Sequence, residues 1–176
     1  VMEIADQEGV WAYDERNGSG ELRYVVVRLA VWSKTAQVIL VTKSEDFPQR
    51  RALARGVRRI HGVASVVQNV NPDPGNVILS PDYKLLSGDE ALLDKIDGYK
   101  LFTRAGSFIQ ANPNIAGRIY RRAVECAQLR PEEVVLDLYC GVGALSLQLA
   151  GHAKLVFGIE ESRTAVNDAK MNARMN

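Results

Sequence analysis

The stretch Val134-Val135-Leu136-Asp137-Leu138-Tyr139-Cys140-Gly141-Val142-Gly143 decides the fold. It is an apolar run of strand character that leads into two glycines, and Ala144 to Ala150 continues with helical character. Gly141 and Gly143 would let the backbone come close to a ligand. The first turn of the following helix offers unpaired amides and the positive end of the helix dipole. The stretch therefore predicts a buried strand, a ligand-binding turn and a helix.

Strands and helices alternate on both sides of this turn. We predict a helix at about Asn114 to Leu129 before it, then a strand from Leu155 to Ile159 and a helix from Arg163 to the end. This alternation is typical of parallel, right-handed βαβ units. Because two parallel strands are too few for a sheet that buries both faces, we expect a truncated chain whose exposed sheet edge permits self-association.

The residues before Gly106 predict a second, smaller domain of α+β type. A helix that starts at Phe47-Pro48 lies between pairs of segments rich in β-branched residues. The predicted strands are Leu22 to Val31, Ala36 to Thr42, Val63 to Val70, Val77 to Leu79 and Lys100 to Thr103. We place the boundary between the two domains after residue 105, which gives domains 1–105 and 106–176.

The composition is that of an ordinary globular protein. The 176 residues are 47% hydrophobic and 24% charged. No apolar run approaches the roughly twenty residues of a membrane span, and the first residues lack the features of a signal peptide. We therefore expect a cytoplasmic protein with no membrane partner. The net charge of +1 gives no global argument for a nucleic-acid partner, so such an argument must be local.

Four arginines lie close together in the predicted helix after Pro48. They are on a different face from the apolar positions Leu53, Val57 and Ile60. These arginines are Arg51, Arg55, Arg58 and Arg59. The charge pattern alone is equally compatible with contacts to RNA phosphates and with a solvated charged face.

An acid follows the glycine turn at a distance that suits a bound adenosine. Glu160 ends the second strand about twenty residues on, where a carboxylate can accept hydrogen bonds from both ribose hydroxyls. Asp137 stands ahead of the glycines, where it would repel a pyrophosphate but attract the cationic amino-acid end of S-adenosylmethionine. This favours S-adenosylmethionine over NAD or FAD. The alternative is an unliganded βαβ turn in which Glu160 is a solvated acid.

Three motifs together resemble the RNA uracil-C5 methyltransferase family, which makes 5-methyluridine in transfer and ribosomal RNA. They are Asp137 to Gly143, Gly158-Ile159-Glu160, and Gly106-Ser107-Phe108-Ile109-Gln110-Ala111-Asn112-Pro113. The similarity extends more loosely through Asp82 to Gly88 and the strands before it, so that it covers nearly the whole chain.

The resemblance implies a fold, a cofactor and a set of contacts. The fold is α/β, with a small α+β central domain that helps to bind RNA, followed by the first βαβα part of a Rossmann-like methyltransferase domain. The cofactor is S-adenosylmethionine, with Glu160 on its ribose, Gln110 near its methionine end and Tyr139 also in contact. Ala144 departs from the polar residue that the family often has there, which removes one expected hydrogen bond to the donor.

The resemblance also implies that the catalytic groups lie outside this chain. In the family a cysteine thiolate adds to C6 of uracil, C5 then attacks the methyl group, and a base removes the C5 proton. The cysteine, the base and an Asp-Pro-Pro loop are all expected beyond Asn176, so we assign no catalytic residue here. We interpret Cys140 as a structural part of the turn and Cys126 as a small buried residue.

Several points stay open. His61 and His152 have no acid or cysteine at metal-ligand spacing, so no metal is expected. The substrate is ribosomal or transfer RNA, and nothing in the sequence selects between them. The alternatives are a methyltransferase for another substrate class and a catalytically incomplete module that binds RNA.

Overall fold

The computed structural model describes residues 1–176 and contains five helices and eight strands. The chain divides into two compact units. The first unit consists of Val1–Leu29 and Lys34–Leu92, and the second of Ala30–Ser33 and Leu93–Asn176. No helix is both long and apolar enough to cross a membrane.

The first unit is built on a mixed four-stranded sheet. Its elements are α1 (Met2–Gln7), β1 (Leu22–Ala30), β2 (Thr35–Thr42), α2 (Arg50–Arg58), β3 (Val63–Val70) and β4 (Tyr83–Gly88). The strand order is β1-β2-β3-β4. The pair β2 and β3 is parallel, because α2 carries the chain across between them, and β3 and β4 are antiparallel. Leu53 and Val57 of α2 are fully buried in a core that includes Val38, Leu40 and Val66.

One predicted strand of this unit is wrong. Val77 to Leu79 is a loop, because the carbonyl oxygens of Val77 and Ile78 accept hydrogen bonds from the Asn71 side-chain amide at 2.6 and 3.1 Å. The strand that pairs with β3 is β4, where the polar residues Lys84 and Ser87 interrupt the apolar pattern. Helix α2 begins at Arg50, slightly later than predicted, after a turn at residues 48–49.

The second unit contains two small sheets and three helices. Its elements are most of β5 (Ala91–Ile96), together with β6 (Tyr99–Arg104), α3 (Pro113–Ala127), β7 (Val134–Leu138), α4 (Ala144–Ala150), β8 (Leu155–Ile159) and α5 (Arg163–Met175). Strands β7 and β8 are parallel and in register from Val134↔Leu155 to Leu138↔Ile159. Helix α4 joins them and packs on both. The α/β fold predicted from the alternation of elements is confirmed.

The second unit begins earlier than the boundary predicted after residue 105. Strand β5 pairs with β6, and β6 packs against α5, so this hairpin is part of the second unit. Residues 30–33 also belong to this unit, because the buried Asp94 carboxylate accepts hydrogen bonds from the amides of Val31 and Trp32 at 3.1 and 2.7 Å.

The β7–β8 sheet is covered on one face only. Six apolar side chains on its other face are between 48% and 58% exposed, namely Val134, Leu136, Leu138, Leu155, Phe157 and Ile159. The prediction that β7 is a buried strand is therefore wrong for this chain. The physical reason is that α4 covers one face, and alternate residues of a strand point to opposite faces.

Replacing Leu53 by Ala tests the core of the first unit. Leu53 is 0% exposed, and we expect Leu53→Ala to lower the free energy of unfolding by about 2–5 kcal/mol through lost burial and a residual cavity. Urea unfolding measures the change. The matched control is Leu29→Ala, at a site 69% exposed, where a loss under about 1 kcal/mol is expected. Equal losses in the two variants would contradict this assignment of the core.

Candidate functional site

The turn between β7 and α4 has an unusual backbone. Tyr139, Gly141 and Gly143 all have positive φ angles, of 61°, 56° and 80°. Tyr139 adopts this conformation without being glycine, and its side chain is 87% exposed. A side chain in the left-handed region costs about 1–2 kcal/mol, and such positions are concentrated at functional sites. Tyr139, Gly141 and Gly143 were all predicted from the sequence as ligand-contacting residues.

The two glycines serve different purposes. Gly143 is the N-cap of α4, and a Cβ atom there would lie 3.3 Å from Cβ of Ala169 on α5. A Cβ atom on Gly141 would meet nothing within 4 Å. Gly143 therefore allows close packing of α4 and α5, whereas Gly141 leaves open space in front of the turn.

Glu160 holds the turn to the start of α5. Its Oε2 accepts a hydrogen bond from the amide of Gly141 at 2.9 Å, and its Oε1 accepts one from the amide of Ser162, the N-cap of α5, also at 2.9 Å. The side chain is half-buried. Since Leu138 pairs with Ile159, the parallel register brings Glu160 and the turn to the same end of the sheet. The carboxylate is thus fixed in place beside the open space at Gly141.

Asp137 lies in the last part of β7 and has a partner on α4. Its Oδ2 accepts a hydrogen bond from the Ser146 hydroxyl at 2.5 Å. The carboxylate is half-buried, so its negative charge acts on its surroundings with less screening than at a free surface. Asp137 and Glu160 together make this end of the sheet acidic.

Cys140 lies inside the turn, and its surroundings disfavour the thiolate. Burial raises the pKa of the Cys140 thiol, and the Asp137 and Glu160 carboxylates raise the pKa further. The sulfur also packs against the second strand, because a Cβ atom on Gly158 would lie 2.7 Å from it. These features favour the structural interpretation of Cys140 over a nucleophilic one.

Gln110 is exposed in the segment that joins β6 to α3. Its neighbour Ile109 packs against the apolar cluster that includes Val142 and Ala144, the residues at the end of the turn. The segment ends at Asn112, whose side chain caps α3 by accepting hydrogen bonds from the amides of Asn114 and Ile115. The structure therefore brings the segment that carries Gln110 to the glycine turn.

The four predicted arginines differ in their surroundings. Arg51, Arg55 and Arg59 are exposed and follow one another at four-residue spacing along α2 and its C-cap. Arg58 is partly buried and donates a hydrogen bond of 2.5 Å to the carbonyl oxygen of Val63. We call Arg51, Arg55 and Arg59 the basic stripe.

The structure corrects one other sequence expectation. Cys126 is exposed, so the prediction that it is buried is wrong. The reason is that α3 buries Ala116 and Gly117 near its start, whereas Cys126 lies near its end. The structure contains no group of three His, Cys, Asp or Glu side chains that could hold a metal ion.

The sequence analysis missed three buried polar residues close to this site. They are Ser107, Asp168 and Asn172. Asp168 and Asn172 are one helical turn apart on α5, and both are fully buried. A polar pair at this spacing among alanines was the available signal, but a solvated helix face has the same spacing.

Comparison with known proteins finds a matching family model and related sequences. Residues 88–176 match the family model described as tRNA (uracil-5-)-methyltransferase. An uncharacterized RNA methyltransferase of Halalkalibacterium halodurans is 41% identical over the whole chain, which spans 39% of that relative's length.

Solved structures have the same fold. The Pyrococcus abyssi tRNA (uracil-54, C5)-methyltransferase in complex with S-adenosyl-L-homocysteine superposes with a TM-score of 0.80 at 24% identity, over 99% of this chain and 42% of that one. The complex of aTrm5 and tRNALeu gives a TM-score of 0.53 at 18% identity, over 87% of this chain and 44% of that one.

The fold and the site define the class of protein. It is a small α+β unit followed by the alternating strands and helices of a Rossmann-like unit, the fold of the tRNA (uracil-54, C5)-methyltransferase described above. Because the family model matches half of the chain, the protein can be assigned more closely. The chain belongs to the tRNA (uracil-5-)-methyltransferase family, and its relatives are RNA methyltransferases.

The two cysteines should differ in reactivity. Because the pKa of Cys140 is raised, less of it is thiolate near pH 7.5 than of an ordinary thiol, whose pKa is about 8.5. We expect iodoacetamide to alkylate the exposed Cys126 first, and the rate at Cys140 to increase only at higher pH. Mass spectrometry of the wild type and of Cys126→Ser measures both rates. Rapid alkylation of Cys140 at pH 7.5 would contradict the structural role.

Proposed function

We propose that this chain provides the S-adenosylmethionine site of an enzyme that methylates C5 of a uridine in ribosomal or transfer RNA. The observation that carries the proposal is the Glu160 carboxylate, held by the amides of Gly141 and Ser162 at the mouth of the glycine turn. The turn lies within the residues matched by the family model. The chain spans about two-fifths of the length of its relatives, so the activity belongs to the full-length polypeptide.

The residues at the turn fit an adenosine. A carboxylate has about four acceptor positions, and the two hydrogen bonds from backbone amides occupy one on each oxygen of Glu160. One position on each oxygen is left for the two ribose hydroxyls. No side-chain rearrangement is needed for this contact, because the amides already fix the carboxylate.

The remaining predicted residues suit the methionine end of the donor. In the proposed arrangement, the charge of Asp137 attracts the donor's ammonium group, and the Gln110 amide donates to its carboxylate. Gly141 and Gly143 allow the backbone to come close, and Tyr139 offers an exposed ring at the edge of the turn. An acidic site is also unfavourable for a pyrophosphate, which favours this donor over a dinucleotide.

The bound donor would supply a methyl group attached to a positively charged sulfur. Uracil C5 is a weak nucleophile and needs a thiolate at C6 together with a base that removes the C5 proton. Cys140 does not suit the first task, since its thiol has a raised pKa and lies against β8. We therefore assign the nucleophile and the base to residues of the full-length polypeptide outside this chain.

The basic stripe is the proposed RNA contact of the first unit. Arg51, Arg55 and Arg59 present three exposed guanidinium groups along one line of α2. Guanidinium groups bind phosphates through paired hydrogen bonds. Arg58 has a structural role instead, because it donates to the Val63 carbonyl.

The Glu160 contact can be tested by donor affinity. We expect Glu160→Ala in the full-length polypeptide to weaken S-adenosylhomocysteine binding about tenfold to a hundredfold, since two hydrogen bonds to a charged group are lost. Isothermal titration calorimetry measures the dissociation constant. Gln110→Ala is expected to weaken it about threefold to tenfold. The control is Glu161→Ala, at the adjacent exposed acid, and unchanged affinity in Glu160→Ala would refute the proposed site.

The basic stripe can be tested by the salt dependence of RNA binding. We expect Arg51→Ala combined with Arg55→Ala to weaken RNA binding and to reduce the slope of log K against log salt by about 1–2. Filter binding at several salt concentrations measures the slope. Arg16→Ala removes one exposed positive charge outside α2 and serves as the control. A slope equal to that of the wild type would exclude phosphate contacts at the stripe.

A further inference from the structure

Helix α5 and its C-cap residue Asn176 bind the backbone of β6 through three polar side chains spaced four residues apart. Asn176 accepts a hydrogen bond from the Lys100 amide at 2.9 Å and donates one to the Lys100 carbonyl at 2.8 Å. Asn172 does the same with Phe102 at 2.6 and 3.2 Å, and Asp168 accepts from the Arg104 amide at 2.9 Å.

The spacing explains how a helix can pair with a strand. Four residues of a helix rise about 6 Å, and two residues of a strand rise about 6.7 Å. Asp168, Asn172 and Asn176 therefore meet alternate residues of β6 and take the place of a neighbouring strand. We call these three residues the α5 ladder.

Two members of the α5 ladder also contact the donor-binding segments. Oδ2 of Asp168 accepts a hydrogen bond from the Ser107 hydroxyl at 2.6 Å, and its Oδ1 pairs with the Arg104 guanidinium. Ser107 begins the segment that leads to Gln110. Asn172 donates a hydrogen bond of 2.9 Å to the carbonyl oxygen of Val142, inside the glycine turn.

Burial makes these contacts stiff. Asp168 and Asn172 are both 0% exposed, and a buried carboxylate or amide that loses its partners has a large desolvation cost. Separating either side chain from its partners therefore has a large cost in free energy. The segments at Ser107 and at Val142 are thus held by adjacent turns of one helix.

We propose that Asp168 is a positioning residue for donor binding. Through Ser107 and Arg104 it holds the segment of Gln110 in place beside the turn that Asn172 anchors. It acts at the methionine end of the donor, because that is the end assigned to Gln110, and it leaves the adenosine end to Glu160. This inference rests on the proposed donor site.

Two ligands, one with and one without the methionine end, distinguish this positioning role from a general structural role of Asp168. Asp168→Asn and Ser107→Ala, made in the full-length polypeptide, are titrated with S-adenosylhomocysteine and with adenosine, which lacks the methionine end. We expect S-adenosylhomocysteine affinity to decrease about tenfold in Asp168→Asn and about threefold in Ser107→Ala, with adenosine affinity changed less than about twofold. In the double variant the decrease in S-adenosylhomocysteine affinity is expected to be smaller than the product of the two single decreases, because both changes break the same contact between Ser107 and Asp168.

Asn176→Ala is the matched control, because it removes a member of the α5 ladder that touches neither donor-binding segment. It is expected to lower the thermal midpoint but to retain affinity for both ligands. An equal decrease in the affinity for both ligands in Asp168→Asn would overturn the proposal. Unchanged S-adenosylhomocysteine affinity in Ser107→Ala would overturn it as well. If Asp168→Asn does not fold, Ser107→Ala decides. Failure of the unaltered protein to bind S-adenosylhomocysteine would instead refute the donor site itself.

Discussion

The hydrogen bonds of the Glu160 carboxylate connect the parts of the second unit on which the site depends. One oxygen is bound to the amide of Gly141 in the turn after β7, and the other to the amide of Ser162 at the start of α5. The position of α5 in turn determines where Asp168 and Asn172 meet β6. A carboxylate at a helix N-terminus is itself favoured by the helix dipole. The turn, α5 and β6 therefore form one connected hydrogen-bonded structure.

The Asp137 and Glu160 carboxylates near the glycine turn favour positively charged ligand groups over negatively charged ones. Burial raises the pKa of Cys140, and the Asp137 and Glu160 carboxylates raise it further. Burial also raises the pKa of Tyr120, and Asp137 raises it further. Both shifts show that this end of the sheet disfavours a further negative charge. A positively charged ligand group is stabilised by the same field. The carboxylate field that adds to the effect of burial on the pKa of Cys140 thus also favours the sulfonium and ammonium groups of the proposed donor.

Sequence patterns predicted most strands and helices in both units within one or two residues, and they failed at β4, β5 and Val77 to Leu79. The bounds of β7, α4 and β8 agree with the predictions, because short apolar runs and glycines are local signals. Strands β4 and β5 were missed, since polar residues such as Lys84 and Asp94 interrupt their apolar pattern. The strand predicted at Val77 was wrong because the side-chain amide of Asn71 donates a hydrogen bond to the Val77 carbonyl oxygen. The contact of Asp168 with Ser107 joins residues 61 positions apart, and no local pattern indicates such a contact.

The net charge of the chain is small, but two local groups of residues carry opposite charges and favour different ligands. The acids Asp137 and Glu160 belong to the second unit, and the basic stripe belongs to the first. An RNA phosphate close to the two acids would be repelled, whereas the donor's cationic groups would gain nothing from the arginines. In the proposed function, the target base reaches the donor without its own phosphates, as when a base is flipped out of the RNA. The Asp137 and Glu160 carboxylates thus suit a substrate group that is an uncharged ring better than one that carries a phosphate.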